Sequence, residues 1–346
     1  MAISRPTVVH VATRPKMAPA TLIERRAVAK RRSISQSSRL QNQLEMVTLA
    51  KEVLVFNEID ARHSRSILSN LEHLIFVGGV PRSGTTLMRA ILDAHPDVRC
   101  GGETMLLPSF LTWQAGWRND WVNNSGITGS VFDDAVSAFI TEIIGKHGEL
   151  APRLCNKDPY TALWLPTIRR LYPNSKFILM IRDARAVIHS MTERKVPVAG
   201  YNTSDEIGMF AKWNQEMRKM VFQCNNAPGQ CIKVYYERLI QKPIDEVQRI
   251  TNFLDLPFSD QMLRHHELIG GEVDLNDQEF SASQVKNSIN TDALTAWFDC
   301  FSAETLRKLD DVAPFLSLLG YDTTTSHPDY SAFAKEDFHR FRNIYS

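Results

Sequence analysis

Residues 74–77 (Leu-Ile-Phe-Val) form an unbroken apolar block that runs straight into Gly78 and Gly79. Residues 177–181 (Phe-Ile-Leu-Met-Ile) repeat the pattern and end at Arg182. A third block, 232–236, is interrupted only by Lys233 and ends at Glu237. Short apolar runs bounded by turn or polar residues predict strands buried on both faces. The first is expected over about 73–80. Elsewhere the spacing changes to that of helices. Phe132, Ala135, Val136, Phe139, Ile140, Ile143 and Ile144 recur at three- and four-residue steps. They predict an amphipathic helix, with Gly145 and Gly148 ending it. Ile244, Val247, Ile250, Phe253 and Leu254 define a second such face. Further helices are expected over about 85–95, halted by His95-Pro96, and from about 183 to 194. Strands alternating with helices predict an α/β fold, a parallel sheet covered on both faces. Ligands of such sheets sit beyond the carboxyl ends of the strands. The three predicted strands lead there to Arg82, Arg182 and Glu237.

The first strand, its loop and its helix form a phosphate-binding pattern. Gly79-x4-Gly84-Thr85-Thr86 has the spacing of a Walker A loop, but Thr85 stands where the lysine belongs. Gly78, Gly79 and Gly84 let backbone approach an anion, and Ser83, Thr85 and Thr86 add hydroxyl donors. Arg82 brings a planar charge suited to phosphate or sulfate. A P-loop-like cradle lacking the lysine points to an anion other than a nucleoside triphosphate.

Charge is unevenly spread. The chain has 346 residues and a net charge of +1, yet residues 1–44 hold nine Lys or Arg against Glu24 alone. Residues 1–66 are therefore read as a basic, largely disordered arm and 67–346 as the folded domain. Scattered apolar positions over 46–66 are compatible with one helix. The arm is Arg- and Ser-rich, a composition shared by presequences and plain disordered arms. The rest of the chain is net acidic, which argues against nucleic acid as a partner. No apolar run is long enough for a membrane span or a secretory signal. Five cysteines have no metal-ligand spacing, and the histidines show no ligand pairing, so no metal is expected. Cys224 and Cys231 flank a turn-rich hexapeptide that a bridge could close, but composition alone favours buried free thiols.

Other candidates are weaker by themselves. Arg182, Arg185, Ser190 and Arg194 offer a second anion site or a solvated basic face; Ser190 and Arg194 share one side of a helix. Glu103, after Cys100-Gly-Gly, is either a general base or an ordinary loop or N-cap acid. Asn156-Lys157-Asp158-Pro159 reads as a polar turn whose lysine either stabilises negative charge or is exposed.

Together these segments resemble one family. Residues 77–90, 92–101, 155–159 and 182–186 are similar to protein-tyrosine sulfotransferases. So are His-Ser-Met (189–191), Arg-Lys-Val (194–196), Lys-Trp-Asn (212–214), Tyr-Glu (236–237) and Leu-Gly-Tyr-Asp (319–322). The likeness covers roughly residues 70–346. It implies transfer of a sulfuryl group from 3′-phosphoadenylyl sulfate (PAPS) to tyrosine in secreted or membrane proteins. Arg82, Ser83, Gly84, Thr85 and Thr86 would hold the 5′-phosphosulfate. Arg182, Ser190 and Arg194 match positions holding the 3′-phosphate; Tyr236, Ser281, Gln284, Val285 and Asn290 match further donor contacts. Glu103 matches the catalytic base, and Lys157, Ser281 and Arg82 match groups acting on the transferring sulfuryl.

The resemblance also implies disulfides Cys100–Cys155 and Cys224–Cys231, reversing the preference for free thiols, and an oxidising Golgi lumen. It implies a homodimer, with Trp117 at a dimer-contact position, and tyrosine-containing, acidic peptide partners. Asn123 and Asn202 head glycosylation triplets. Relatives carry a membrane anchor that this chain does not display. Three positions depart from the family: Met105 and Ser109 replace arginines near the peptide, and Ala296 replaces a lysine near the 3′-phosphate. These departures leave room for a catalytically silent PAPS- or peptide-binding relative; a carbohydrate sulfotransferase is the alternative among enzymes.

Overall fold

A computed structural model describes residues 73–116, 124–271, 273, 285–289 and 291–341. The arm, the 46–66 segment, Trp117, Asn123, Ser281, Gln284 and Asn290 lie outside the described residues.

In chain order the main elements are β1 (Ile75–Gly79), α1 (Thr85–Asp93), β2 (Val98–Arg99), α2 (Leu106–Ala115), α3 (Gly129–Lys146) and β3 (Arg153–Lys157). They continue with α4 (Leu165–Leu171), β4 (Lys176–Ile181), α5 (Ala184–Glu193), α6 (Glu206–Asn225), β5 (Cys231–Tyr235), α7 (Tyr236–Gln241) and α8 (Pro243–Phe253). The strands pair in parallel in the order β2-β3-β1-β4-β5. After β1 the chain builds one side of the sheet, then crosses to the other. The crevice beyond β1 is therefore where a ligand site forms.

Alternation along the strands produces two apolar layers. Phe76, Phe177, Leu179, Ile181 and Tyr235 face one cluster, while Ile75, Val77, Ile178, Met180 and Val234 face the other. Each such side chain contributes about 1.5–3 kcal/mol when fully buried. This explains why the strands read as continuous apolar runs rather than as an alternation. The sheet is the expected α/β architecture.

Some elements differ from the sequence reading. Asn156 and Lys157 are not part of a turn but the last two residues of β3. Lys157 lies in register with Val77 and is wholly buried rather than exposed. β5 stops at Tyr235, because Tyr236 already begins α7. Gly145 is a buried residue within α3, and Gly148, with φ 93°, turns the chain just beyond it. The 20-residue helix α6 is not anticipated at all. Its apolar face, Met209, Phe210, Trp213, Met217, Met220, Val221 and Cys224, does have helical spacing and was open to the same test.

Cys100 is bonded to Cys155 and Cys224 to Cys231, so the composition-based expectation of free thiols fails; Cys300 remains free. The first bridge joins the end of β2 to the middle of β3. The second closes the turn between α6 and β5. Among the described residues no helix is long and apolar enough to cross a membrane.

Candidate functional site

The loop between β1 and α1 is built by backbone constraints. Gly84 has φ 97°, and a Cβ there would lie 2.5 Å from the Tyr236 ring. Only glycine fits that position. Arg82 also adopts a left-handed backbone, φ 75°. The turn is closed by Ser83 N–H donating to the Val80 carbonyl at 3.0 Å. No side chain caps the N-terminus of α1, so its first N–H groups face the loop. Ser83 is buried, and its hydroxyl has no hydrogen-bond partner within the protein. A buried hydroxyl of this kind beside the uncapped start of α1 suits a bound anion.

Beside the loop is a cavity of about 280 Å³. Its wall includes Arg82, Gly84, Thr85, Thr86, Arg182, Arg194, Tyr236 and Val285, all singled out in the sequence. It also includes Asn287, Ser288, Ile289, Asp292 and Ala293, which sequence reasoning missed. Those five follow no motif; the fold brings them over the cavity. Ala296 lines it too. A wider groove of about 820 Å³ runs along α6 and Phe315–Leu318 and holds none of the expected site residues.

The arginines are tied to one another. Arg82 Nε donates to Ser190 Oγ at 3.0 Å, which leaves the serine hydroxyl proton to donate elsewhere. The two subsites expected from the sequence are thus in contact through this bond. Arg182 donates to the carbonyls of Arg82 (3.1 Å) and Ala293 (2.9 Å), and its guanidinium lies 4.2 Å from the Tyr236 ring centroid. Burial, and then the charges of Arg182 and Arg194, lower Arg82 to about 10. It remains a cation at neutral pH. Three guanidinium groups drawn together around a partly desolvated cavity favour a multiply charged anion.

Two candidates are structural instead. Arg185 is buried in an ion pair with Asp183 at 2.7 Å and stacks 4.4 Å from Trp297. Glu237 is also buried, accepting from Asp183 N–H at 2.9 Å and from the Tyr321 hydroxyl at 2.7 Å. Burial raises its pKa to about 7. Neither lines the cavity beside the loop.

Glu103 and Lys157 meet at the edge of the loop. Lys157 Nζ donates to Glu103 Oε2, and lies 3.4 Å from the Thr86 hydroxyl. The lysine side chain is fully buried, whereas that of Glu103 is 22 % exposed. Glu103 is accordingly a loop acid, not a helix cap, and one side of it is open to solvent. The base candidate faces outward and the cation faces the loop. That arrangement can accept a proton from an incoming group on one side and offset negative charge on the other.

Residues 75–260 match the sulfotransferase family model. The chain is 87 % identical over 280 residues to a Caenorhabditis briggsae protein named "Putative protein-tyrosine sulfotransferase", covering 81 % of this chain and 100 % of that one. It is 42 % identical over 301 residues to protein-tyrosine sulfotransferase A of Caenorhabditis elegans, covering 84 % and 79 %. It is 41 % identical over 280 residues to protein-tyrosine sulfotransferase 1 of Homo sapiens, covering 79 % and 76 %.

Proposed function

Because this chain belongs to the protein-tyrosine sulfotransferases, a family of transferases, we propose that it moves the sulfuryl group of PAPS to the phenol oxygen of tyrosine residues in secreted or membrane proteins. The observation that carries this reading is the Glu103–Lys157 pair at the rim of a lysine-free anion loop. When bound, PAPS would supply an activated sulfuryl group on one phosphate and a separate 3′-phosphate. Two anionic ends account for a loop with hydroxyls and for a second cluster of arginines.

Each side chain then has a task. Arg82, Ser83, Thr85, Thr86 and the N–H groups around Gly84 hold the phosphosulfate. Arg182, Ser190 and Arg194 hold the 3′-phosphate, and Tyr236 and Val285 bound the nucleoside. A free phenol titrates near ~10, so at neutral pH it needs help to become a nucleophile. Glu103 takes the phenol proton as the new O–S bond forms. The S–O bond to the donor's bridging oxygen breaks, and the electron pair stays on that oxygen. Lys157 and Arg82 offset the charge that builds there. Ser281 is assigned the same neighbourhood by resemblance alone.

The two disulfides suit an oxidising compartment such as the Golgi lumen. Acidic acceptor segments are favoured by the local cations rather than by the acidic body. The test is transfer of radiolabelled sulfate from PAPS to a panel of acidic tyrosine peptides, neutral tyrosine peptides and glycans. Label on tyrosine peptides supports the reading. Label only on glycans, or donor binding with no transfer, contradicts it.

A further inference from the structure

The mechanism uses Lys157 and Glu103 but not the residue that follows the lysine. Asp158 is fully buried. Pro159 after it favours extended backbone, and Asp158 has φ −125° and ψ 115°. Its Oδ1 accepts from the backbone N–H groups of Thr104 (3.0 Å) and Met105 (2.9 Å). Its Oδ2 accepts from the Thr104 hydroxyl (3.2 Å) and the Asn156 amide (3.3 Å). Those donors are all neutral, and together they satisfy a carboxylate removed from water.

The clamped segment begins one residue after Glu103. It contains a strained residue, Met105, at φ 57°. A non-glycine residue stays left-handed only where its surroundings hold it. Thr104 completes the latch, because its Oγ1 also accepts from Leu106 N–H, at 3.2 Å, at the start of α2. One strand end therefore delivers Lys157 and, immediately after it, the group that fastens the loop bearing Glu103.

We propose that Asp158 is a positioning residue, which locks the 103–105 loop so that the Glu103 carboxylate stays beside Lys157 and within reach of the acceptor phenol. This rests on the reading of Glu103 as the base. The clamp works by geometry, not by charge. Asn156 Oδ1 is buried without a partner. Turning the Asn156 amide over would present that oxygen to an amide placed at position 158, whose own oxygen could still accept the two backbone N–H groups. An asparagine would thus keep the two backbone bonds that hold the loop while losing the acceptor of the Thr104 hydroxyl, so it should retain most of the aspartate's effect.

The experiment compares Asp158→Asn, Asp158→Ala and Glu103→Ala. Rates are expressed per site that binds adenosine 3′,5′-bisphosphate, titrated by calorimetry, so unfolded protein is not counted. Asp158→Ala should lower kcat about a hundredfold, as an ångström of misplacement does. Asp158→Asn should keep kcat within about threefold, and both should keep bisphosphate affinity within about threefold, because Asp158 does not line the anion cavity. Should Asp158→Ala give no soluble protein, Thr104→Val removes both hydroxyl bonds of the latch, to Asp158 and from Leu106, and predicts a kcat loss of about threefold to tenfold at unchanged bisphosphate affinity. An unaltered kcat in Asp158→Ala, or in Thr104→Val where that stands in, overturns the proposal. So does an Asp158→Asn variant as impaired as Asp158→Ala, which would make the charge decisive, or a loss confined to donor binding. Glu103→Ala with normal turnover overturns the base assignment itself and this proposal with it. Loss in Glu103→Ala with none in Asp158→Ala sinks only the positioning role.

Discussion

Gly84→Ala tests the anion loop at its tightest point. The backbone there has φ 97°, where an L side chain is strained by about 1–2 kcal/mol or more. The new Cβ would sit 2.5 Å from Tyr236 Cδ2 and 3.0 Å from its Cε2. Ordinary contact needs ~3.5–4 Å, so the ring must retreat by about 1 Å. Tyr236 is not free to do so cheaply. Its ring carries the Arg182 guanidinium at 4.2 Å, and Arg182 is anchored to the carbonyls of Arg82 and Ala293. Moving the ring therefore disturbs the cation assigned to the proposed second anion subsite. A stacking contact of this kind is worth about 0.5–2 kcal/mol. Strain and lost stacking together predict a loss of roughly 2–3 kcal/mol, or about 30- to 150-fold in affinity for adenosine 3′,5′-bisphosphate. Titration calorimetry reads this directly. A double-mutant cycle with Tyr236→Ala isolates the clash: the second change should recover part of what Gly84→Ala loses. Bisphosphate affinity within twofold of wild type in Gly84→Ala would show that the Tyr236 contact does not hold the subsite, as would strict additivity in the cycle.

Arg82→Ala removes a cation already destabilised by burial and by Arg182 and Arg194. A charge-assisted bond contributes about 1.5–3 kcal/mol, so bisphosphate affinity should fall roughly tenfold to a hundredfold by calorimetry, with turnover falling further. The paired change Cys100→Ser with Cys155→Ser opens a loop with a sequence separation of 55. The chain-entropy model predicts a loss of roughly 4 kcal/mol in urea unfolding, and kcat should drop because the bridge lies between the base loop and the lysine strand. Glu237 is buried with its pKa raised to about 7 from 4.5. The folded state thus holds its proton more tightly than the unfolded chain. That stabilisation is present at low pH and is lost as pH rises through about 4.5 to 7, by on the order of 3 kcal/mol. In Glu237→Gln the pH dependence between those values should flatten; parallel curves for the two proteins would contradict the assignment.

β1, β4, β5 and the anion loop were legible because each rests on local signals, whereas the two-residue β2 and the polar β3 were not. β1, β4 and β5 carry apolar runs that local reading can see, and a loop that approaches an anion needs glycine. The first strand, α1, α3 and the arginines of the cavity follow from these rules. Lys157 was misread because its polarity suggests a turn. The ion pair with Glu103, 54 residues away in sequence, allows a lysine inside a strand end, and nothing local records that pair. Glu237 was misread for the mirror reason: its polarity at a strand end imitates a ligand, yet its partners Asp183 and Tyr321 come from distant elements. The cavity wall at Asn287, Ser288 and Ile289 carries no motif, so only the fold could reveal it. The bridges followed from family likeness and not from cysteine spacing.

The most direct measurement is tandem mass spectrometry of a tyrosine peptide incubated with PAPS and either the wild-type chain or Glu103→Ala. Wild type should add the mass of one sulfuryl group, localised to the phenol oxygen, while Glu103→Ala should add none yet still bind adenosine 3′,5′-bisphosphate. An unmodified peptide with the wild-type chain, or equal modification by both proteins, would contradict this reading.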